Sequence, residues 1–227
     1  MAFSQEALAR LEADAAQIIA RYPKSRSALL PLLHLVQSQE GHVSPDGIGF
    51  CAGQLGLTEA EVTAVATFYT MYRRTPAGDY HVGVCTNTLC AVMGGDAIFA
   101  SLTDELGIGH NETTPDGKIS LEHIECNAAC IYAPVVMVNW EFFDNMTPAS
   151  TRELVADLQA GREVSPTRGP RHLCDFREAS RILAGLPDDQ AADGPAAGEP
   201  DLVGLKIARE NDWTAPEPGT AGDGEAQ

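Results

Sequence analysis

Over the first seventy-five residues, apolar positions recur every three to four places. Leu8, Leu11, Ala15, Ile18 and Ile19 share one face of a helix that Tyr22-Pro23 stops. The run Leu29 to Val36 predicts a second helix with an irregularity at Pro31. Ser44-Pro45 has the form of an N-cap followed by a first-turn proline, opening a third helix through Cys51. Thr58 with Glu61 makes a capping box, after which Val62, Val65, Ala66, Tyr69 and Tyr72 line a fourth helix. The pattern is a small helical bundle in which nothing looks chemical.

From Asp79 the period changes to two. Tyr80, Val82 and Val84 alternate in a strand that ends at Cys85. Ala97, Ile98, Ala100, Leu102 and Leu106 give a helix closed by Gly107. After the turn Asp116-Gly117, Ile119, Leu121 and Ile124 form a strand running up to Cys126. Val135 to Val138 is a third strand, with Glu141 to Phe143 as its hairpin partner, and Thr147-Pro148 opens a last helix that ends at Gly161. The order β-α-β-β-β-α predicts an α+β, partly α/β-like domain, a small mixed sheet with helices packed on it. We divide the chain into a helical bundle (1–77), a sheet domain (78–165), a C-terminal extension (166–184) and an acidic linker and tail (185–227). Leu186 to Pro200 is rich in Pro, Gly, Ala and Asp, so the tail is expected to be disordered or extended. One island in it, Leu202 to Arg209 with Trp213, is apolar enough to dock on something.

Composition adds charge to this picture. The 227 residues are 44% hydrophobic, which supports a buried core. Against 15 Lys and Arg stand 32 Asp and Glu, a formal net charge of −17 that argues against nucleic acid and unaided binding to anionic lipid. Residues 185–227 hold 10 acids and two bases, so nearly half of the excess lies in the tail. The N-terminus has no basic and apolar leader, and no apolar run approaches the ~20 residues of a membrane helix. The expectation is a cytoplasmic protein. In a reducing compartment, clustered cysteines point to metal or redox chemistry.

Four of the six cysteines are clustered. Cys85 and Cys90 form C-x4-C, and Cys126 and Cys130 form C-x3-C, each pair in a loop at the end of a strand. If the intervening helix makes the two strands parallel, both loops emerge at one edge of the sheet. Four thiolates in two pairs suit tetrahedral zinc or an iron–sulfur cluster. Zinc knuckles favour a tighter C-x2-C, whereas the wider spacings let each pair grip its own iron in a [2Fe–2S] centre. Structural or disulfide-bonded cysteines are the plainer alternative. Cys51 reads as a small core residue and Cys174 as structural or half-exposed. His81 and His123 read as satisfied surface or core histidines near the cysteines, Glu122 and Glu125 as solvated acids, and Gly94-Gly95 as close packing beside the first cysteine loop.

With both pairs placed, the chain resembles the thioredoxin-like [2Fe–2S] ferredoxin subunits of proton-translocating NADH:quinone oxidoreductase, respiratory complex I. The resemblance spans roughly residues 5–175 and rests on Ser27-Ala-Leu-Leu-Pro-Leu-Leu-His-Leu-Val-Gln, Val82-Gly-Val-Cys-Thr, Glu125-Cys126 and Ala133-Pro134-Val-Val-Met-Val-Asn. It implies a helical prefix joined to a thioredoxin-like ferredoxin domain, with Cys85, Cys90, Cys126 and Cys130 as the ligands of one [2Fe–2S] cluster. It also implies single-electron exchange with the FMN of the adjacent NADH-binding subunit, and a place beside that subunit and the large iron–sulfur subunit of the peripheral arm. Membrane association would then come only through the complex, on the cytoplasmic side. Family members often carry glycine between the last two cysteines, where this chain has Ala128 and Ala129. The alternatives are a small [2Fe–2S] subunit of an NAD-linked hydrogenase or formate dehydrogenase, a freestanding thioredoxin-like ferredoxin, and a zinc-stapled interaction module.

Overall fold

The computed structural model describes residues 3–187, 194 and 197–215. Helices α1 (Gln5–Ile19), α2 (Leu29–Glu40), α3 (Pro45–Leu55) and α4 (Glu59–Phe68) form the bundle. Helices α3 and α4 start at the caps legible in the sequence: Ser44 accepts from the Gly47 amide, and Thr58 and Glu61 close a reciprocal capping box. Pro31 produces no irregularity, because it lies in the first turn of α2, where its missing N–H is not needed. Helix α4 stops at Phe68, earlier than the apolar pattern predicts. Tyr69 is already extended, and Tyr72 is held outside the helix by its hydroxyl, which donates to the Leu30 carbonyl at 2.9 Å.

The second part contains β1 (Tyr80–Cys85), α5 (Thr88–Met93), α6 (Gly95–Leu106), β2 (Glu112–Thr113), β3 (Ile119–Ile124), β4 (Val136–Val138), β5 (Glu141–Phe143) and α7 (Pro148–Gln159). The sheet order is β2-β3-β1-β4-β5. Strands β1 and β3 are parallel, with Gly83 opposite Glu122 and Cys85 opposite Ile124, and β4 joins β1 antiparallel. A right-handed crossover is the usual way to connect such parallel neighbours, and α5 and α6 make the connection here. Val82, Val84, Ile119, Leu121, Val136 and Val138 pack with Ile98, Leu102 and Val155 in one core, while the bundle has its own around Leu32, Leu33, Leu35 and Val36. Short helix α5 and two-residue β2 escape the sequence reading, since neither is long enough to establish a period.

The C-terminal extension contains a further helix, α8 (Phe176–Leu183), which packs on α2. Gln37 of α2 is completely buried and bonds three ways: its amide donates to the Met71 carbonyl and the Ser180 hydroxyl, and its oxygen accepts from the Arg73 amide at 2.7 Å. In the tail, the apolar island forms helix α9 (Glu199–Glu210), a correction to the expectation of disordered or extended chain over those residues. Most of the expected linker and the last twelve residues lie outside the described residues.

Candidate iron–sulfur centre

The two cysteine pairs meet at the edge of the sheet where β1 and β3 end. Cys85 is the last residue of β1, and Cys90 lies one turn into α5. Cys126 follows β3, and Cys130 opens a short 3-10 turn, Cys130–Tyr132. Glycine makes the first loop possible. A Cβ at Gly95 would fall inside contact distance of the Cys85 carbonyl and 2.9 Å from that of Cys90. The expectation of close packing is met at Gly95, where α6 can start only because the residue has no side chain, but not at Gly94, which has nothing within 4 Å of a Cβ and instead adopts a left-handed φ of 119°.

In the second pair the thiols touch, with the Cys126 and Cys130 sulfurs 3.6 Å apart; in the first, Cys90 stands near enough to Cys85 to raise its thiol. A tetrahedral ion with metal–sulfur bonds of about 2.3 Å holds two thiolates about 3.8 Å apart. The Cys126–Cys130 pair is therefore spaced to share one metal ion. Between the pairs the coupling is through charge, with Cys85 feeling Cys126 and Cys130 feeling Cys85. Two neighbouring thiol pairs of this kind offer a place for two ions, one to each pair.

The pairs differ in exposure. Cys85 and Cys90 are buried beside Ala129, Tyr132 and Val135, whereas Cys126 and Cys130 are exposed. Burial pushes the Cys85 thiol up to about 11, with the neighbouring Cys90 adding to the rise, and the hydrogen bond from Cys126 raises Cys130. Metal-free, these groups hold their protons, and binding a metal must release them. At the alanine pair, Ala128 adopts a left-handed φ of 56°. Glycine is the usual residue in that conformation. The Ala128 amide nevertheless donates to the Cys126 sulfur at 3.4 Å, so the alanine keeps the amide-to-sulfur bond.

Behind the cysteines, alternation places His81, Gly83 and Cys85 on one face of β1, with Glu122 and Ile124 on the same face of β3. The Glu122 Oε2 atom accepts from Arg73 at 2.6 Å and pairs with His81 Nε2 at 2.7 Å. Burial pushes the Glu122 carboxyl up, but the His81 bond and the His81 and Arg73 charges outweigh it and hold the group below the ordinary carboxylate range. This corrects the reading of Glu122 as a solvated acid: it is tied to Arg73, from the segment that follows the bundle, and to His81. His81 is the satisfied core histidine expected, Glu125 is exposed, Cys51 is fully buried in the bundle core and Cys174 is half-buried.

The comparisons with known proteins point the same way. The thioredoxin-like [2Fe–2S] ferredoxin family model matches residues 15–159. The chain is 64% identical over 215 residues to the E subunit of the NADH-quinone oxidoreductase of Mycobacterium bovis, covering 94% of this chain and 85% of that protein. It is 39% identical over 157 residues to NADH-quinone oxidoreductase subunit 2 of Thermus thermophilus, covering 68% of this chain and 87% of that one. A crystal structure of an NAD+-reducing [NiFe]-hydrogenase shares the fold, with a TM-score of 0.53 and 21% identity over 59% of this chain and 23% of the hydrogenase chain. This chain belongs to the thioredoxin-like [2Fe–2S] ferredoxin family.

Proposed function

We propose that the chain is the electron-transfer subunit of an NADH-quinone oxidoreductase, with Cys85, Cys90, Cys126 and Cys130 holding one [2Fe–2S] cluster. The observation that carries the reading is the meeting of two thiol pairs at one sheet edge, one pair buried and one exposed. When bound, the cluster supplies a site that accepts and releases one electron. Cys85 and Cys90 shield the inner side of that site from water. Cys126 and Cys130 bring the other side to the surface, where a partner's redox group can approach. Around the site the surface is apolar: Val92 is 79% exposed, and Leu89, Met93 and Ile131 about half exposed. Exposed apolar side chains grouped around a functional site mark a protein-binding surface.

The partner chemistry follows from the relatives' names. An NADH-quinone oxidoreductase takes a hydride, two electrons at once, and needs a flavin to divide them into single electrons. The apolar rim is the surface on which the FMN-bearing, NADH-binding subunit docks, with the large iron–sulfur subunit of the peripheral arm as a second neighbour. Among the described residues no helix is long and apolar enough to cross a membrane. Attachment to the cytoplasmic side of the membrane would come through the assembled complex. The hydrogenase fold match favours a second reading, the equivalent small subunit of an NAD-linked hydrogenase. Mixing the chain with its co-purifying flavoprotein and adding NADH tests the proposal. Reduction of the visible iron–sulfur absorbance only when the flavoprotein is present supports it, and no reduction under any ratio would overturn it.

A further inference from the structure

The exposed cysteine pair has little of the packing that holds Cys85 and Cys90. Support for it comes from Tyr132, two residues beyond Cys130 in the same 3-10 turn. The Tyr132 amide donates to the Ala129 carbonyl, and its own carbonyl accepts from the Asn145 amide at 2.8 Å. Its ring lies under the guanidinium of Arg168, 4.8 Å from the ring centroid, and the ring of Phe142 lies 4.0 Å from the same guanidinium. Arg168 thus lies over two aromatic rings, one of them on the turn that carries Cys130.

A cation in that position loses water and needs a partner. Asp144 provides one: its Oδ2 accepts from Arg168 Nε at 2.8 Å and its Oδ1 from Nη2 at 3.2 Å, in the forked geometry peculiar to arginine. The Arg168 and Asp144 side chains are only 16% and 5% exposed. Thr167 donates to the same carboxylate, and the backbone of Arg168 pairs with Phe142 at the edge of β5. On the far side, the Tyr132 hydroxyl donates to Asp201 of α9 at 2.7 Å. With its charge paired to Asp144, Arg168 bears on the cysteine turn through its position against Tyr132. A planar guanidinium stacks flat on two rings, and an ammonium does not.

We infer that Arg168 is a positioning residue for the iron–sulfur centre, fixing the Cys126–Cys130 loop by clamping Tyr132 against Phe142 and Asp144. The inference rests on the proposal that the four cysteines hold a cluster. Its consequence is that the C-terminal extension, outside the sheet domain, governs the cluster's exposed end.

The test uses the full chain with its cluster loaded, read by the EPR spectrum of the reduced protein and the rate of iron release to a chelator. Arg168→Gln and Tyr132→Ala should each shift the EPR g values and speed iron release roughly tenfold, in the range a desolvated cation–π contact can supply. The double variant should be no worse than either single one, because both remove the same contact. Tyr132→Phe keeps the ring and should stay near wild type. Arg168→Lys, which keeps the ion pair without the flat stack, should behave like Arg168→Gln and carries the test if the glutamine variant does not fold. Wild-type g values and release rate in both Arg168 variants, or additive losses in the double variant, would overturn the inference. A wild-type chain that takes up no iron and sulfide would instead overturn the reading on which it rests.

Discussion

Arg73, from the segment that follows the helical bundle, donates from Nη1 to Oε2 of Glu122 in β3, at 2.6 Å. Both side chains are nearly buried, at 10% and 14% exposure. The same arginine donates from Nη2 to Asn111 at 3.0 Å, and its backbone is tied to Gln37 and Val43. One residue therefore joins the bundle to the sheet face that, further along each strand, ends at the cysteines. The joint is lined by Trp140, whose ring packs 5.2 Å from Phe176 and 6.0 Å from His81.

Removing Arg73 takes the permanent positive charge from a nearly buried Glu122 and leaves it only the His81 hydrogen bond. Arg73→Met should lower unfolding stability by about 3 kcal/mol, the low end for breaking a buried ion pair. The double variant Arg73→Met with Glu122→Gln should recover much of that loss, because no charge is then stranded. Urea unfolding of the three proteins checks both statements, and equal losses in single and double variants would show that the arginine contributes packing alone.

The bundle contains a histidine that should make stability depend on pH. His34 is 8% exposed between Tyr72 and Trp140, its Nδ1 has no hydrogen-bond partner, and burial lowers its pKa from 6.5 to about 4. Arg21 and three tyrosines, at 22, 69 and 72, line the same cleft. In the native state the ring stays neutral, while the unfolded chain takes up a proton below its ordinary value. The stability associated with neutral His34 is complete above pH 6.5 and falls as the pH drops toward 4, by up to roughly 3 kcal/mol. Replacing it by phenylalanine keeps an aromatic ring against Tyr72 and should flatten the stability profile across that window.

Two glycine substitutions separate a glycine that the site needs from one it does not. Gly95→Ala forces a methyl group against the Cys85 and Cys90 carbonyls, so the first cysteine loop or the start of α6 must move. We expect a loss of about 2 kcal/mol or more together with reduced cluster occupancy. Gly53, exposed within α3, has nothing within 4 Å of its missing Cβ. Gly53→Ala should raise stability by about 0.5–1 kcal/mol through helix propensity, without changing iron content. Thermal melts with iron analysis read both.

The parts legible in the sequence are those fixed by short-range rules. The caps at Ser44 and Thr58, the strand leading into Cys85 and the two cysteine spacings each depend on neighbours a few residues away. The parts that were not legible depend on distant chain. Arg168 stands in an irregular segment with no period, and only the folded backbone brings it to Tyr132 and Phe142. Glu122 alternates correctly for a solvent-facing strand residue, and its nearly buried ion pair depends on Arg73, 49 residues earlier. Helix α8 was hidden because it is eight residues long and packs on α2, far back in the chain.

The central claim is the ligand set, and iron and sulfide analysis of the cysteine variants tests it most directly. Wild-type chain should hold about two iron and two sulfide, as a [2Fe–2S] centre requires. Single serine substitutions of Cys85, Cys90, Cys126 or Cys130 should leave the fold largely intact but make the cluster labile, while Cys51→Ala and Cys174→Ala should keep it in full. Full, stable occupancy in Cys126→Ser, or a colourless wild-type protein carrying one zinc, would contradict the account.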